Sequence, residues 1–294
     1  MAIQSACVLG GTGFVGRHLI RLLCAQGMTV RVPTRSADKA RQALASLPAE
    51  AVSADVHDPA QLAGVFDGMD AVINLVGILH EQGGEIFRRV HVELPRKVIE
   101  AARIAGVARL LHMSALNAAP DGPSAYLRSK GEAEALVRTS GLQATIFRPS
   151  VIFGAEDKFL NLFAKLARYA PVIPLACAAA KFQPVWVEDV AQVFVRSLND
   201  DTSIGQSYDL CGPQVYSLRE LVAFAAACGG RRPFIVPLPD SLAYMQAAAM
   251  EWLPVKLMTR DNFYSMQQDS VCNCAFPFGI APARMEDVVP GYLS

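Results

Sequence analysis

The sequence predicts an α/β protein: a doubly wound parallel sheet followed by a smaller C-terminal region. Three observations predict it. Through the first half, short apolar runs alternate with stretches of helical periodicity. Glycines stand at the exits of several of those runs. Beyond Gly154 the rhythm changes to helical segments separated by proline clusters. With 294 residues, 52% hydrophobic and 18% charged, the chain can form one large domain or two smaller ones. The expected division is 1–154 for the sheet domain and 155–294 for the smaller region, with segments of about 182–212 returning to the sheet.

Taken in order, "ACVL" (6–9) is a short apolar run ending in glycines. A helical pattern follows through Val15, Leu19, Ile20, Leu22 and Leu23. "TVRVPT" reads as the second strand, a helix runs from the N-cap Ser36 to about Leu47, and "EAVSAD" is the third strand. A short helix after Asp58, the strand "DAVINLVG" and a long helix from about Glu85 to Ala105 come next. Pro95 inside that helix predicts a kink or a break. "RLLHMS", a helix carrying Tyr126 and Lys130, and the strand "QATIFRP" complete the alternation. Past Gly154, helices are expected at about 187–198, 217–228 and 240–252, with strands at "SYDLCG" and "FIVPL". The helix at 240–252 is apolar and is expected either as a lid over a cleft or as a contact with a membrane surface or a partner.

Lys+Arg and Asp+Glu balance at 27 each with no long basic run, which argues against nucleic acid as a partner. The seven cysteines are an odd number without framework spacing and read as reduced thiols in a cytosolic compartment. Cys272-x-Cys274 lacks the further ligands of a metal site, since all five histidines lie far upstream. The opening residues do not resemble a signal peptide, and the run "YAPVIPLACAAA" falls short of the roughly 20 residues of a spanning helix. The expected location is cytoplasmic, at most peripheral at the inner face of a membrane.

"LGGTGFVGRHL" places Gly11-x-Gly13-x-x-Gly16, with Gly10, Thr12, Phe14 and Val15, between the first strand and a periodic helix. Glycines there permit a tight turn and bring backbone N–H groups close to a pyrophosphate at the helix N-terminus. A ribose 2′-hydroxyl usually meets an acid about 20 residues further on. Here the second strand ends in Thr34-Arg35, and Arg35 with Lys39 and Arg17 suits a 2′-phosphate, so NADP(H) is expected ahead of NAD(H). The alternative is that these are solvated surface charges. Asp55, followed by Val56, ends the third strand as an adenine partner or a plain loop residue, and Leu75-Val76-Gly77 ends the fourth beside the cofactor riboses. In "SAYLRSK", Tyr126 and Lys130 lie one helical turn apart, where an ammonium favours a phenolate for proton transfer. Chance produces that spacing readily, so its weight comes from the neighbouring motifs.

"GGTGFVG", "NLVG", "HMSA", "YLRSK", "FRPSVIFG" and "VEDVA" occur in the order of the short-chain dehydrogenase/reductase superfamily, which the chain resembles on its extended or atypical branch. More narrowly, "HMSALNA…SAYLRSKGEAE…FRPSVIFG" and "LMTRDNFYSMQQDSV" resemble the bacterial relatives of alpha-subcomplex subunit nine of respiratory complex I. The resemblance implies a Rossmann fold and a nicotinamide cofactor, with Gly10, Gly13 and Gly16 at the pyrophosphate. It further implies Tyr126 as proton carrier, Lys130 on the nicotinamide ribose, and Pro149-Ser150 beside the nicotinamide ring. Asp189 would anchor the helix returning from the second region. Two positions depart from the family pattern. Ala115 stands where a catalytic hydroxyl is usual, leaving Ser114 or Ser124 to serve. His91 stands where many relatives carry an asparagine that orders a relay water, either as its substitute or as a hydrogen-bonded packing residue.

Three functions are implied. The first is an NADP(H)-dependent oxidoreductase acting on a small hydrophobic carbonyl or quinone-like substrate. The second is a cofactor-binding accessory protein that docks to a respiratory complex. The third, a nucleotide-sugar epimerase or dehydratase, ranks last because the region after Gly154 is rich in Ala, Leu, Phe and Pro rather than polar residues.

Overall fold

The computed structural model describes residues 2–45, 47–252 and 258–293, apart from the side chains of Ala37 and Lys39. Along the chain come β1 (Ser5–Leu9), α1 (Phe14–Ala25), β2 (Thr29–Thr34), α2 (Ala37–Ala43), β3 (Ala49–Ser53), α3 (Pro59–Phe66) and β4 (Ala71–Asn74). A π-helical turn, Arg88–Glu93, leads directly into α4 (Leu94–Ile104), followed by β5 (Arg109–Met113), α5 (Ala125–Arg138) and β6 (Gln143–Pro149). Next are β7 (Ile152–Phe153), α6 (Leu160–Tyr169), β8 (Val172–Leu175), β9 (Lys181–Phe182), β10 (Val185–Trp186) and α7 (Val187–Leu198). Then follow β11 (Ser207–Leu210), β12 (Tyr216–Ser217), α8 (Leu218–Cys228), β13 (Phe234–Pro237), α9 (Asp240–Met250) and α10 (Arg260–Ser265).

Seven strands form one parallel sheet in the order β3-β2-β1-β4-β5-β6-β11, the predicted doubly wound arrangement. Its strands are apolar on both faces because helices cover both. On one face Leu19, Ile20 and Leu23 of α1 and Val190 and Phe194 of α7 pack on Val8, Val30, Ile73 and Phe147. The Phe147 and Phe194 ring centres are 4.3 Å apart. On the other, Leu62 and Phe66 of α3, Val98 and Ile99 of α4 and Val137 of α5 pack on Cys7, Leu9, Val72, Leu110 and Ile146. The strand order reverses between β1 and β4. Their C-terminal ends therefore diverge into a crevice, where doubly wound sheets bind ligands.

The remaining short strands pair as β10 with β7, β12 with β9 and β13 with β8, holding α6 and α8 against each other around a second apolar core that includes Phe163, Leu175, Val222 and Ile235. No helix among the described residues is long and apolar enough to cross a membrane. α9 buries only Ala243 and Ala247, while Leu242, Met245 and Trp252 are exposed.

One expectation is corrected. Cys211 and Cys272 are not both free thiols: they form a disulfide with Cα atoms 6.1 Å apart. The pairing escapes sequence reading because 61 positions separate the two, and only the fold brings the end of β11 beside the C-terminal segment. Pro95 marks the change from the π-helical turn to α4, where the sequence predicts a kink or a break. It lies in the first turn of α4, where a missing N–H costs little, directly after the π-helical turn.

α5 is pressed against the loop that precedes it. A Cβ on Gly131 would stand 2.3 Å from the Ala119 carbonyl carbon and 2.5 Å from Pro120 N. Replacing Gly131 with Ala must push α5 off this backbone, and overpacking of this kind costs about 1–3 kcal/mol. A fall of that size is expected in urea unfolding, and an unchanged midpoint would show that the loop yields freely.

Candidate active site

The crevice begins at the turn from β1 to α1. Gly10 adopts φ +78° and lies so close to the end of β4 that a Cβ would come within 3.2 Å of Leu75 C. Gly16 faces Gly10 O and Gly11, with only 2.4 Å available to a Cβ, so α1 starts directly against the turn. Gly13 is the N-cap of α1 and supplies no side-chain acceptor, which leaves the first-turn amides, those of Phe14, Val15 and Gly16, facing outward. Thr12 is half-buried beside them. A helix N-terminus left in this state is an anion site, and the close backbone approach fits a dinucleotide pyrophosphate.

The neighbouring strand ends supply the rest of the crevice wall. Arg35, just past β2, is 78% exposed and pairs with Glu85 at 3.3 Å. Arg17 reaches Glu156 at 3.7 Å. The backbone of Lys39 lies in α2, and its side chain is outside the described part. One oxygen of Asp55 accepts from His57 N at 2.9 Å, a local turn that leaves the other outward, and Val56 is half-buried against the core. Leu75 continues the β4 ladder through Leu9 O at 3.0 Å, and Val76 N donates to Asn74 Oδ1 at 3.2 Å.

Gly77 is where three elements meet. A Cβ there would lie 3.1 Å from Lys130 Nζ and 3.5 Å from His91 Nε2. Lys130 Nζ donates to Met113 O at the end of β5, 3.2 Å away. Burial brings the Lys130 pKa down to about 8 and pushes the Tyr126 phenol up to about 12. Tyr126 is therefore a protonated phenol at neutral pH, the form that donates a proton to an oxygen gaining charge. Phe87 stacks on His91 at 5.5 Å, and both rings meet Tyr126 edge-on.

The first turn of α5, which carries Tyr126, is capped twice. Leu127 N donates to Ser124 Oγ at 3.1 Å, and Ala125 N and Tyr126 N donate to the Asp261 carboxylate of α10 at 2.6 and 3.1 Å. Ser265 Oγ donates to Ser124 Oγ at 2.8 Å. Asp261 escaped sequence reading although it lies within "LMTRDNFYSMQQDSV". The visible signal was the Thr259–Asn262 capping box, which marks a helix start but not its partner.

Two of the three candidate serine hydroxyls are committed elsewhere. Ser124 is a cap. Ser150 Oγ donates to Ser270 O at 2.9 Å. Ser114 is buried, and among the described residues its Oγ has no hydrogen-bond partner. On nearby Glu134 burial raises the carboxyl pKa, but hydrogen bonds from Arg148 and Arg138 outweigh it and lower the pKa. Ala115 supplies no hydroxyl. Pro149, at the end of β6, accepts from Leu116 N at 3.0 Å, which places Pro149 and Ser150 beside the loop after β5. Over this edge runs a strap, Asp269–Cys272. Asn117 Nδ2 donates to Asp269 O at 2.9 Å, Gln183 N to Ser270 O at 3.0 Å, and Cys272 N to Gln183 Oε1 at 3.0 Å. Asp189 accepts from Ala283 N at 2.7 Å and ties α7 to the chain's last segment. Among the described residues no group of three His, Cys, Asp or Glu side chains could hold a metal.

Residues 10–167, more than half of the chain, match the model of a family described as NAD(P)H-binding. The chain belongs to this NAD(P)H-binding, short-chain dehydrogenase/reductase-like family. It is 33% identical over 261 residues to the mitochondrial NADH dehydrogenase [ubiquinone] 1 alpha subcomplex subunit 9 of Arabidopsis thaliana, covering 86% of this chain and 64% of that protein. It thus spans less than two thirds of that relative. It is 32% identical to a ceramide reductase of Caulobacter vibrioides, covering 79% of this chain and 73% of that protein. The Escherichia coli NADPH-dependent quinone oxidoreductase QOR2, solved with NADPH, superposes with a TM-score of 0.71 at 23% identity. That match covers 89% of this chain and 86% of QOR2 and shows a shared fold.

Both ring nitrogens of His91 are engaged within the protein. Its Nε2 accepts from Ile78 N at 3.0 Å, so Nδ1–H donates to Ser129 Oγ at 2.9 Å, and that hydroxyl donates to Tyr126 O. Asn74 Nδ2 donates to His112 Nδ1 at 3.3 Å. Burial, with Lys130 nearby, brings His91 down to about 2 and His112 down to about 3. An unfolded histidine takes up a proton near pH 6.5. The unfolded chain therefore binds more protons than the folded one from pH 6.5 down to about 3. The stability these residues contribute is complete above pH 6.5 and is lost as the pH falls. Between pH 6 and 5 the loss should be roughly 1 kcal/mol per histidine, and His91→Asn should flatten the slope by one such share. An identical slope in urea titrations of both proteins would show that His91 titrates when folded.

Proposed function

We propose that the protein is an NADP(H)-dependent oxidoreductase that reduces a hydrophobic carbonyl or quinone-like substrate. The observation that carries this reading is the convergence of Gly77, Lys130 and Tyr126 at the C-terminal edge of β4 and β5, across the crevice from the uncapped start of α1. The residues fit a dinucleotide, because the glycine cradle admits backbone approach where any Cβ would collide. When bound, NADPH supplies a hydride. The first-turn amides of α1 hold its pyrophosphate, Leu75–Gly77 line its riboses, and Lys130 binds the nicotinamide ribose. Tyr126 donates its phenolic proton to the substrate oxygen, and the Lys130 ammonium stabilises the resulting phenolate.

Arg35 supports a preference for NADPH. It is exposed, stands where NAD-binding relatives place an acid, and has only a weak surface ion pair to give up for a 2′-phosphate. The apolar interior of the C-terminal region and the reductase names among the relatives support a hydrophobic substrate.

A second reading is favoured by one observation: Ser124 and Ser150 face other partners, and Ala115 offers no hydroxyl where the family pattern places one. On that reading the protein holds NADPH with little turnover and docks to a respiratory complex, in keeping with the subunit 9 relatives.

Purified protein should bind NADPH more tightly than NADH, and Arg35→Asp should remove at least about tenfold of NADPH affinity, the size of one charge-assisted contact. Equal affinities, or an unchanged preference in the variant, would overturn the assignment of Arg35. With a panel of quinones and carbonyls, Tyr126→Phe should lower kcat by about 10²–10⁴ while NADPH affinity is retained. Tight NADPH binding with no oxidation by wild type or variant would select the accessory reading.

A further inference from the structure

We propose that the end of the C-terminal region where α6 and α8 terminate docks onto an anionic lipid bilayer. α6 and α8 finish side by side, and the chain turns from each into the paired strands β8 and β13. Between the turns lies a groove of about 670 Å3 lined by Arg168, Tyr169, Pro171, Arg231, Arg232 and Pro233. None of these three guanidinium groups meets a carboxylate among the described residues. The sequence explains why: no Asp or Glu occurs from Lys158 to Val187 or from Leu221 to Pro239, although acids and bases balance over the whole chain.

Arginines at helix C-termini have an ordinary explanation, the negative end of the helix dipole. It is too small here. Two helix ends amount to about one negative charge, against three guanidinium groups, so a net charge of about +2 remains. Lys165, one turn before Arg168 on α6, adds to it.

The charge is ringed by apolar side chains that the protein does not bury. Tyr169 is 76% exposed, Phe234 71% and Val172 51%, and Phe234 and Val172 are direct partners across β13 and β8. Guanidinium groups beside exposed aromatic and branched side chains on one face match a bilayer interface. Tyr and Phe enter the headgroup zone there, and Arg meets lipid phosphates. This face is separate from the crevice and does not depend on the oxidoreductase reading.

The test is co-sedimentation of the intact protein with phosphatidylcholine vesicles, with or without about one third phosphatidylglycerol. The protein should pellet with the anionic vesicles and hardly with the neutral ones, and 0.5 M NaCl should release it. Each basic residue at a bilayer surface is worth about fivefold in binding. R231E/R232E should therefore weaken partitioning by at least about twentyfold, and Tyr169→Ser with Phe234→Ser by at least fivefold. Arg96→Glu, on the exposed side of α4, should change little. All these variants should keep the wild-type unfolding midpoint. Undiminished binding by R231E/R232E, or equal binding to neutral vesicles, would overturn the proposal. So would loss of binding through Leu242→Ser/Met245→Ser on α9 alone. Displacement by 10 mM inorganic phosphate beyond that by NaCl of equal ionic strength would assign the groove to a small free anion instead. Retention on immobilised polyglutamate without vesicle binding would assign it to an acidic protein.

Discussion

The carboxylate of Asp261 completes the first turn of the helix that carries Tyr126, and much of the site depends on that contact. It accepts from the amides of Ala125 and Tyr126, residues 136 and 135 positions away in sequence. A charge at a helix N-terminus is favourable, and here it also fixes where the C-terminal region sits relative to the sheet. Asn262 donates to Leu79 O and Ser265 to Ser124, so α10 grips the loop after β4 and the start of α5 together. The Tyr126 ring then packs edge-on against the stacked His91 and Phe87 with its backbone already fixed.

The two helix N-termini of the crevice are treated in opposite ways, and the contrast separates their roles. At α5 the free amides are filled by Ser124 and Asp261. At α1 the N-cap is a glycine and the amides face outward. A negatively charged group is thus already present where the tyrosine must be held still and is left to a ligand where a phosphate is expected. Lys130 sits between the two with a backbone carbonyl as its described acceptor.

The sheet was legible because its strands are short apolar runs closed by glycines, a local pattern. The glycine loop and the Tyr126–Lys130 spacing were legible for the same reason, each lying within one turn or one helix. Asp261, the strap at Asp269–Cys272 and the Cys211–Cys272 pair were not, since each acts across the fold on a segment far away in sequence. His91 was legible as an anomaly with two readings, relay substitute or hydrogen-bonded packing residue, but its partners were not. Its neighbours Ile78 and Ser129 are brought to it by the π-helical turn, which no periodicity announces. Ala115 was legible as a departure, yet only the structure shows that Ser124 and Ser150 are already occupied and that Ser114 is not.

The disulfide has a topological consequence. It closes a loop from Cys211 to Cys272 that contains α8, β13, α9 and α10, so the segment bearing Asp261 is anchored at both ends. Chain-entropy arguments put such a closure at about 4 kcal/mol against the unfolded ensemble. The contact between Asp261 and the start of α5 is thus made from within a closed covalent loop. Reducing the disulfide would free that segment to sample many more positions without breaking any contact at α5 itself.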